Sequence, residues 1–375
     1  MQTEDLVSQL ESKVEKVHTQ SLDLSFNELL DMYVDGELDI NPEYQRLFRW
    51  TEGARSRFIE SLLLEMPVPP IYVVEDDNGS YQLIDGLQRF SSYLHLRGKL
   101  EASHLPNKVE LGEYLELQDC DIVHELNGLT YEDLPLSLKI RLKRAFVRVE
   151  VVRKGSDNKF RYHMFKRLNT GGEELTKQQL RNCTIRMLSP KFIDFIIEQS
   201  KQEDFVVCIS RISEEQKLGA FDQELVLRYF ALKNYRDVFV HDLADFMTEY
   251  MEAVSDDEVT ETTFDYPSEA KNFNKTFKVL NKVMGDKAFG RWGKNGAQSN
   301  FAVYQFESIC IGIQPIINQV DPDNPSHIDL VKKTLQTLKQ DEDFIRQTTG
   351  GGKNSKGSLR RRIEIVSDKF SNLPL

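Results

Sequence analysis

The stretch that most constrains the fold of this chain is residues 71–89, IYVVEDDNGSYQLIDGLQR. Two largely apolar runs, 71–76 and 81–85, flank the turn-forming sequence DNG at 77–79. Such runs on either side of a short turn are typical of a β-hairpin. A helical pattern starts directly after Gly86. The sequence therefore predicts a strand–strand–helix unit with a polar turn between the second strand and the helix.

Other patterns in the first half of the chain also mix helices with strands. Ser25 and Glu28 have the spacing of a capping box and predict a helix that stops near residue 35. Residues 51–66 predict a second amphipathic helix, which the following prolines would end. Valines alternate with larger or polar residues over 145–152, and this alternation predicts a half-buried strand.

In the second half of the chain the strand patterns disappear and helical patterns dominate. Thr176 and Gln179 again have capping-box spacing and predict a helix that continues through Leu188. Further helices are predicted at 221–230, 273–284, 301–319 and 326–338. The compositions of 255–269 and 348–358 predict two loops.

This change of pattern predicts an α+β fold followed by an all-helical domain. The expected parts are an N-terminal extension at 1–20, an α+β domain at 21–156 and a helical domain at 157–375. A chain of 375 residues, of which 40% are hydrophobic, is long enough to bury the cores of two such domains.

The chain is acidic overall, with a formal net charge of −12. This charge argues against a protein that coats nucleic acid indiscriminately, because such binding needs a basic surface. Residues 139–191 are a local exception, with fifteen Lys or Arg against four Asp or Glu. They would form either a nucleic-acid face or an ordinary solvated helix surface.

Cysteine spacing and hydropathy bear on the compartment. The four cysteines lie far apart and form no C-x-x-C pair, so they suggest neither a zinc site nor a disulfide framework. No run of about 18 apolar residues is present, and the N-terminal residues lack the apolar core of a signal peptide. These features predict a cytoplasmic protein that does not enter a membrane.

The turn after the predicted hairpin carries an acid, a glycine, an amide and a guanidinium within five residues. A helix N-terminus presents unpaired N–H groups and a positive dipole end, so Gly86 and the amides after it would cradle a phosphate. Arg89 would clamp that phosphate, Gln88 would bond it or orient a water, and Asp85 would hold Mg²⁺ or position the attacking water. In the alternative, Asp85 only caps the helix and Arg89 pairs with a surface carboxylate.

Two further polar stretches bear on this turn. In NPEYQRLFRW, 41–50, aromatic and cationic side chains interleave. This pattern suits stacking on a base and gripping its phosphates, or simple packing of the aromatic rings on the core. In MFKRLNTGGEELTKQQLRN, 164–182, a glycine turn that begins at Asn169 is predicted to separate two helices. This turn would either contact a ligand or only cap the end of the first helix.

These stretches, together with the run from Ile59 to Tyr72, occur in an order typical of one family. The chain resembles the GmrSD-type N-terminal domain, also called domain of unknown function 262. The resemblance implies a ParB/sulfiredoxin-like α+β core that binds and hydrolyses nucleoside triphosphates, for which Mg²⁺ is the expected cofactor.

The resemblance also implies which residues form the nucleotide site. Asp85, Gln88 and Arg89 would be catalytic, with Asp85 also the metal ligand. The implied nucleotide-binding residues are Tyr44, Gln45, Arg46, Gly86, Asn169 and Gly171. Leu87 stands where the family usually has a glutamine, so hydrolysis would be slowed or lost if that glutamine contacts nucleotide or water.

The best-known members of the family are modification-dependent restriction systems directed against phage DNA. Members that cut DNA alone usually carry an HNH-type nuclease domain, but the histidines here are dispersed and none follows His327. The chain is therefore expected to be an NTPase whose nucleotide state gates DNA recognition or a separately encoded nuclease. The alternative is a non-catalytic module that binds DNA or a modified nucleotide, and a homo-oligomer is compatible with both.

Overall fold

The structure is a computed structural model, and it forms two compact units, Met1–Leu175 and Thr176–Leu375. The residues that it describes are 18–40, 48–76, 78–103, 105, 107–154, 156, 164, 167, 176–186, 188–240, 242–256, 263–294, 296–353, 355–371 and 373–374.

The N-terminal unit is built on a mixed five-stranded sheet. Its strands are β1 (Thr19–Ser25), β2 (Leu38–Asp39), β3 (Ile71–Glu75), β4 (Tyr81–Asp85) and β5 (Phe146–Val152). The order across the sheet is β1-β5-β3-β4-β2. β3 and β4 form the antiparallel hairpin that the sequence predicts, while β3 runs parallel to β5 and β2 runs parallel to β4. The predicted α+β class is confirmed.

In the described part of this unit, four α-helices accompany the sheet. They are α1 (Phe26–Val34), α2 (Glu52–Leu63), α3 (Leu87–Leu96) and α4 (Leu136–Arg144). Two of them begin at the residues that the sequence indicates. The Ser25 hydroxyl accepts from the Glu28 amide and the Thr51 hydroxyl accepts from the Ala54 amide, so each side chain satisfies a donor that the helix leaves unpaired.

An aromatic cluster joins three of the helices. The ring of Phe26 lies 5.7 Å from that of Phe58 and 5.3 Å from that of Tyr93, measured between centroids. Phe26 and Tyr93 are fully buried. Large rings in contact at these distances contribute both area burial and edge-to-face attraction, so this cluster is the centre of the core that supports α3.

The second unit is helical apart from two very short strands, β6 (Trp292–Gly293) and β7 (Gly296–Ala297). Its helices are α5 (Lys177–Ile185), α6 (Pro190–Ser200), α7 (Glu203–Cys208), α8 (Glu214–Leu218), α9 (Phe221–Asn234), α10 (Leu243–Ser255), α11 (Tyr266–Met284), α12 (Val303–Gly312), α13 (Gln314–Ile317), α14 (Pro325–Gln340), α15 (Glu342–Thr348) and α16 (Lys356–Ser371). The Thr176 capping box is present with Gln179, as the sequence predicts.

Several element bounds differ from the sequence-based predictions. α5 ends at Ile185 rather than Leu188. The helix predicted at 301–319 is divided into α12 and α13. β1 and most of α16 were not predicted at all. Within the part of the chain that the structure describes, no helix is both long and apolar enough to cross a membrane.

A buried ionic chain connects three helices of this unit. Glu307 on α12 is fully buried and accepts from Arg228 on α9 and from Arg362 on α16. Arg228 also donates to Glu224, one turn earlier on α9, at 2.7 Å. Arg362 in turn donates to the carbonyl oxygen of Lys353 at 2.7 Å. Each buried charge therefore has an opposite charge beside it, which buried ions require.

Candidate nucleotide site

The turn between β4 and α3 is an uncapped helix N-terminus. Gly86 is the N-cap residue and has no side chain, so it gives the first turn of the helix no side-chain cap. The first intrahelical bond runs from the Phe90 amide to the Gly86 carbonyl at 2.9 Å. In an α-helix the amides before this one have no partner within the helix. Their positive dipole end is a general anion-binding feature.

Glycine at position 86 has a structural explanation as well. Its φ is +103°, a left-handed conformation that side chains rarely adopt. A Cβ atom there would also lie 2.7 Å from Cγ1 of Ile71 on the neighbouring strand. Any larger residue would therefore strain the turn and push β3 away, whether or not a ligand binds.

Arg89 and Asp85 form an ion pair above this turn. Arg89 Nη2 donates to Asp85 Oδ2 at 2.9 Å, and Nη1 donates to the carbonyl oxygen of Pro69 at 2.7 Å. The side chain of Arg89 is 12% exposed and that of Asp85 is 32% exposed. Asp85 thus holds the guanidinium rather than capping the helix. A phosphate at the turn would have to share Arg89 with this carboxylate.

Gln88 connects the turn to the stretch at 41–50. Its Oε1 accepts from the backbone amides of Arg49 at 3.0 Å and Trp50 at 3.1 Å. The end of that stretch is therefore attached to the first turn of α3. Five of the predicted nucleotide-binding residues lie outside the described residues: Tyr44, Gln45, Arg46, Asn169 and Gly171.

A cleft of about 340 Å³ opens beside this attachment, within the usual size range of small-molecule sites. Arg49 and Trp50 line it on one side, and Asn107 and Gln118 line it on another. Glu52 lies in the same cleft and accepts from Gln118 Nε2 at 2.8 Å and from Asn107 Nδ2 at 3.4 Å. An aromatic ring, a guanidinium and amide groups are suited to stacking on a planar ligand and bonding its edges.

A buried arginine supports Trp50 from beneath. Arg55 is 4% exposed, and its Nε donates to the Trp50 carbonyl oxygen at 2.8 Å. Its Nη1 lies 3.0 Å from Nδ1 of His95, and its guanidinium lies 4.7 Å from the centroid of Phe48. Burial, with a smaller contribution from the positive charge of Arg55, lowers the pKa of His95 to about 4. His95 is therefore neutral near pH 7 and accepts through Nδ1.

Asp85 is the candidate metal ligand that the structure describes. Within the described ranges no group of three or more His, Cys, Asp or Glu side chains is placed to hold a metal ion. Mg²⁺ commonly uses one or two carboxylates together with substrate phosphates. The partly exposed carboxylate of Asp85, next to an anion-binding turn, fits that mode.

The end of the stretch at 164–182 has a structural role. Arg181 is 3% exposed, and it donates to Gln178 at 2.8 Å and to the Ala244 carbonyl oxygen at 2.9 Å. Asn182 donates to Gln223 on α9 and accepts from Gln178 at 2.8 Å. These bonds attach α5 to α9 and α10, so the two side chains stabilise the helical unit.

Sequence reasoning identified Asp85, Gly86, Gln88 and Arg89, and the structure brings these four together at one turn. Sequence reasoning did not identify the cleft side chains Asn107 and Gln118, or the pair formed by Arg55 and His95. Asn107 and Gln118 lie in an irregular connection between α3 and α4, where no periodic pattern marks them.

The comparison with known proteins agrees with the resemblance seen in the sequence. Residues 26–186 match the family model described as GmrSD restriction endonuclease, N-terminal domain. No curated protein and no solved structure matches the chain significantly. The name of the family relates this chain to restriction systems. Residues 26–186 are therefore a domain of the GmrSD restriction endonuclease N-terminal domain family.

Proposed function

We propose that this chain binds and hydrolyses a nucleoside triphosphate at the turn formed by Asp85–Arg89. In this proposal its nucleotide state gates DNA recognition, or a separately encoded nuclease, within an anti-phage restriction system. One observation carries the proposal: an uncapped helix N-terminus with an arginine and a carboxylate held directly above it. Backbone amides, a guanidinium and a metal-binding carboxylate together are the groups that a triphosphate needs.

The charges of the turn define the roles of its residues. The first-turn amides of α3 would donate to the phosphate oxygens, and Arg89 would neutralise the charge that develops on them. Asp85 would repel the same phosphate, so its carboxylate would need a cation beside it. Asp85 would hold Mg²⁺, which would supply that positive charge. Gln88 would keep its hydrogen bonds with the amides of Arg49 and Trp50 and so position the stretch at 41–50.

The cleft beside Gln88 would take the nucleoside. Trp50 would stack on the base, while Asn107 and Gln118 would bond its edge through their carbonyl oxygens, because their NH₂ groups are turned to Glu52. Tyr44, Gln45, Arg46, Asn169 and Gly171 remain proposed nucleotide-binding residues. A ParB-like core and a cytoplasmic location are further parts of this proposal.

One observation favours the alternative, a module that binds nucleotide or DNA without hydrolysis. Leu87, which stands at the position of the usual glutamine, is 4% exposed and packs into the core. The leucine side chain can neither bond a phosphate nor orient a water. Arg89 is also already bonded to Asp85 and Pro69, which is the arrangement of a structural turn.

Phosphate release separates the two functions. Wild type, Arg89→Ala and Asp85→Asn would be assayed with each of the four ribonucleoside triphosphates, with and without Mg²⁺. We expect Mg²⁺-dependent turnover in the wild type and a loss of about 100-fold or more in Arg89→Ala, since one such interaction contributes about 3–4 kcal/mol to a transition state. Asp85→Asn should lose much of the Mg²⁺ dependence together with activity.

Arg360→Ala is the matched control, because Arg360 also pairs with a carboxylate four residues away, on α16 and at the surface. It should leave turnover unchanged. Thermal unfolding of every variant shows whether the protein is folded. Unchanged turnover in folded Arg89→Ala would rule out this turn as the catalytic site. Nucleotide binding without turnover in the wild type would establish the binding module instead.

A further inference from the structure

A second cavity of the N-terminal unit is a groove whose lining includes none of the residues 85–89 of the proposed nucleotide turn. It has a volume of about 710 Å³ and lies between the end of α2, the helix α4 and the start of β5. We call it the basic groove. The residues that define it are Met66, Ile140, Arg141, Arg144, Phe146 and Arg148.

The wall of the basic groove exposes large apolar side chains. Phe146 is 68% exposed, Met66 is 42% exposed and Ile140 is 38% exposed. The position of Phe146 follows from the alternation of β5, in which Val147 and Val149 turn into the core and Phe146 and Arg148 turn outward. An aromatic ring exposed to this extent beside an arginine is a feature of surfaces that bind a partner.

The same wall has an excess of basic side chains, since Arg141, Arg144 and Arg148 line it against Asp23 and Glu65. Residues 139–148 carry five Lys or Arg and no Asp or Glu, in a chain of net charge −12. Among the described residues, no ion pair forms with Lys143 or Arg144, and both are exposed. Basic residues in the last turn of a helix are stabilised by the negative end of its dipole, which explains part of the clustering of Lys and Arg on α4. It does not account for Arg148 on β5.

The remaining basic side chains have partners that they can exchange. Arg141 lies 3.5 Å from Glu65, and Arg148 lies 3.1 Å from Asp23. All four side chains are about half exposed or more. Exposed ion pairs of this kind contribute little to stability, so a phosphate can take over either arginine at little cost.

We infer that the basic groove binds a DNA strand, with phosphates on Arg144 and Arg148 and an unstacked base against Phe146. Grooves that follow a nucleic-acid strand combine basic side chains with an aromatic ring in this way. The inference rests on the proposed DNA-directed function and locates the DNA on residues other than those of the nucleotide turn. A partner protein with an acidic and apolar segment is the competing occupant, since Met66 and Ile140 are apolar.

Fluorescence anisotropy with labelled DNA tests the groove. The probes are a single strand and a duplex of the same sequence, each about 20 nucleotides long, titrated over a range of salt concentrations. The variants are Arg144→Ala, Arg148→Ala and Phe146→Ala, with Arg360→Ala on α16 as the control for loss of one exposed arginine. Because all of these side chains are exposed, thermal unfolding should be little changed.

Each variant has a distinct expected result. Arg144→Ala and Arg148→Ala should lower the affinity for both DNA probes, and each should reduce the slope of log affinity against log salt by about one. Phe146→Ala should lower the affinity for the single strand about tenfold, and that for the duplex less, because an unstacked base loses the aromatic ring on which it stacks. Arg360→Ala should bind like the wild type.

Other results would overturn the inference. DNA affinity and salt slope equal to the wild type in all three groove variants would show that DNA does not bind there. A labelled peptide of alternating Glu and Leu provides the competing arm. If Phe146→Ala weakens only that peptide, the groove is a protein-docking surface. Phosphate release in the groove variants should match the wild type, so failure here is distinguishable from failure of the proposed nucleotide site.

Discussion

At the scale of single residues, the pair formed by Arg55 and His95 determines how the support beneath Trp50 responds to pH. His95 is 6% exposed and accepts from a guanidinium that carries a permanent charge. Protonating His95 would place two positive charges 3.0 Å apart in the core. The pair therefore stabilises the fold only while the imidazole is neutral.

This arrangement predicts a loss of stability in mild acid. The pKa of His95 is about 4 in the folded protein, against 6.5 for the free side chain. Between these values the unfolded chain binds more protons, so stability is present above pH 6.5 and falls as the pH drops toward 4. The slope attributable to His95 approaches about 1.4 kcal/mol per pH unit. Urea unfolding at several pH values measures it.

His95→Gln is the comparison for this prediction, because an amide oxygen can accept from Arg55 but does not titrate. The difference in unfolding free energy between wild type and variant should shrink or reverse as the pH falls from 6.5 to 4. A difference that stays constant over this range would show that His95 has an ordinary pKa.

Residue-level chemistry was readable from the sequence only where the partners are close in the chain. Asp85 ends β4 and Arg89 lies in the first turn of α3, only four residues later, so their ion pair is a local contact. The sequence-based alternative to a phosphate clamp paired Arg89 with a surface carboxylate but did not identify Asp85 as that partner. The contact between Arg55 and His95 joins side chains forty residues apart. No local pattern identifies such a pair, because it depends on how α2 packs on α3.

At the scale of elements, the fully buried carboxylate of Glu307 is the centre of the contacts among α9, α12 and α16. Glu307→Ala should destabilise the protein by about 3–5 kcal/mol, because Arg228 and Arg362 would lose their shared anion inside the core. Denaturant unfolding followed by circular dichroism measures the change.

Glu364→Ala provides the comparison, since Glu364 pairs with Arg360 at the surface of α16. That change should cost at most about 1 kcal/mol. Equal effects of the two substitutions would contradict the account of the buried ionic chain.

Helix starts were predicted well and long-range pairings were not. The caps at Ser25 and Thr176 are local, and both form as their spacing indicates. β1 was missed because its strand status comes from pairing with β5, in which Thr19 lies opposite Val152, far away in the sequence. The start of α16 was missed because its glycine-rich, basic approach is typical of a loop, while burial of Leu359 and Arg362 stabilises the helix.

At the scale of the whole molecule, the family region is not confined to one unit. The match over 26–186 includes β2 to β5 and α1 to α4 of the N-terminal unit, but not β1, and ends at the C-terminus of α5 in the helical unit. The acidic chain also keeps a concentrated basic surface on α4 and β5. The sequence predicts a basic excess over 139–191. The structure describes the start of this segment, on α4 and β5, but much of the rest lies outside the described residues.

The central claim is that main-chain amides at the start of α3 receive a phosphate. Hydrogen–deuterium exchange of the intact protein, with and without Mg²⁺ and non-hydrolysable analogues of the four ribonucleoside triphosphates, tests it most directly. Slower exchange is expected at the amides of residues 87–89, which lack a partner within the helix, when nucleotide is bound, and no such change in Arg89→Ala. Nucleotide binding that slows exchange elsewhere and leaves residues 87–89 unchanged would contradict the proposed site.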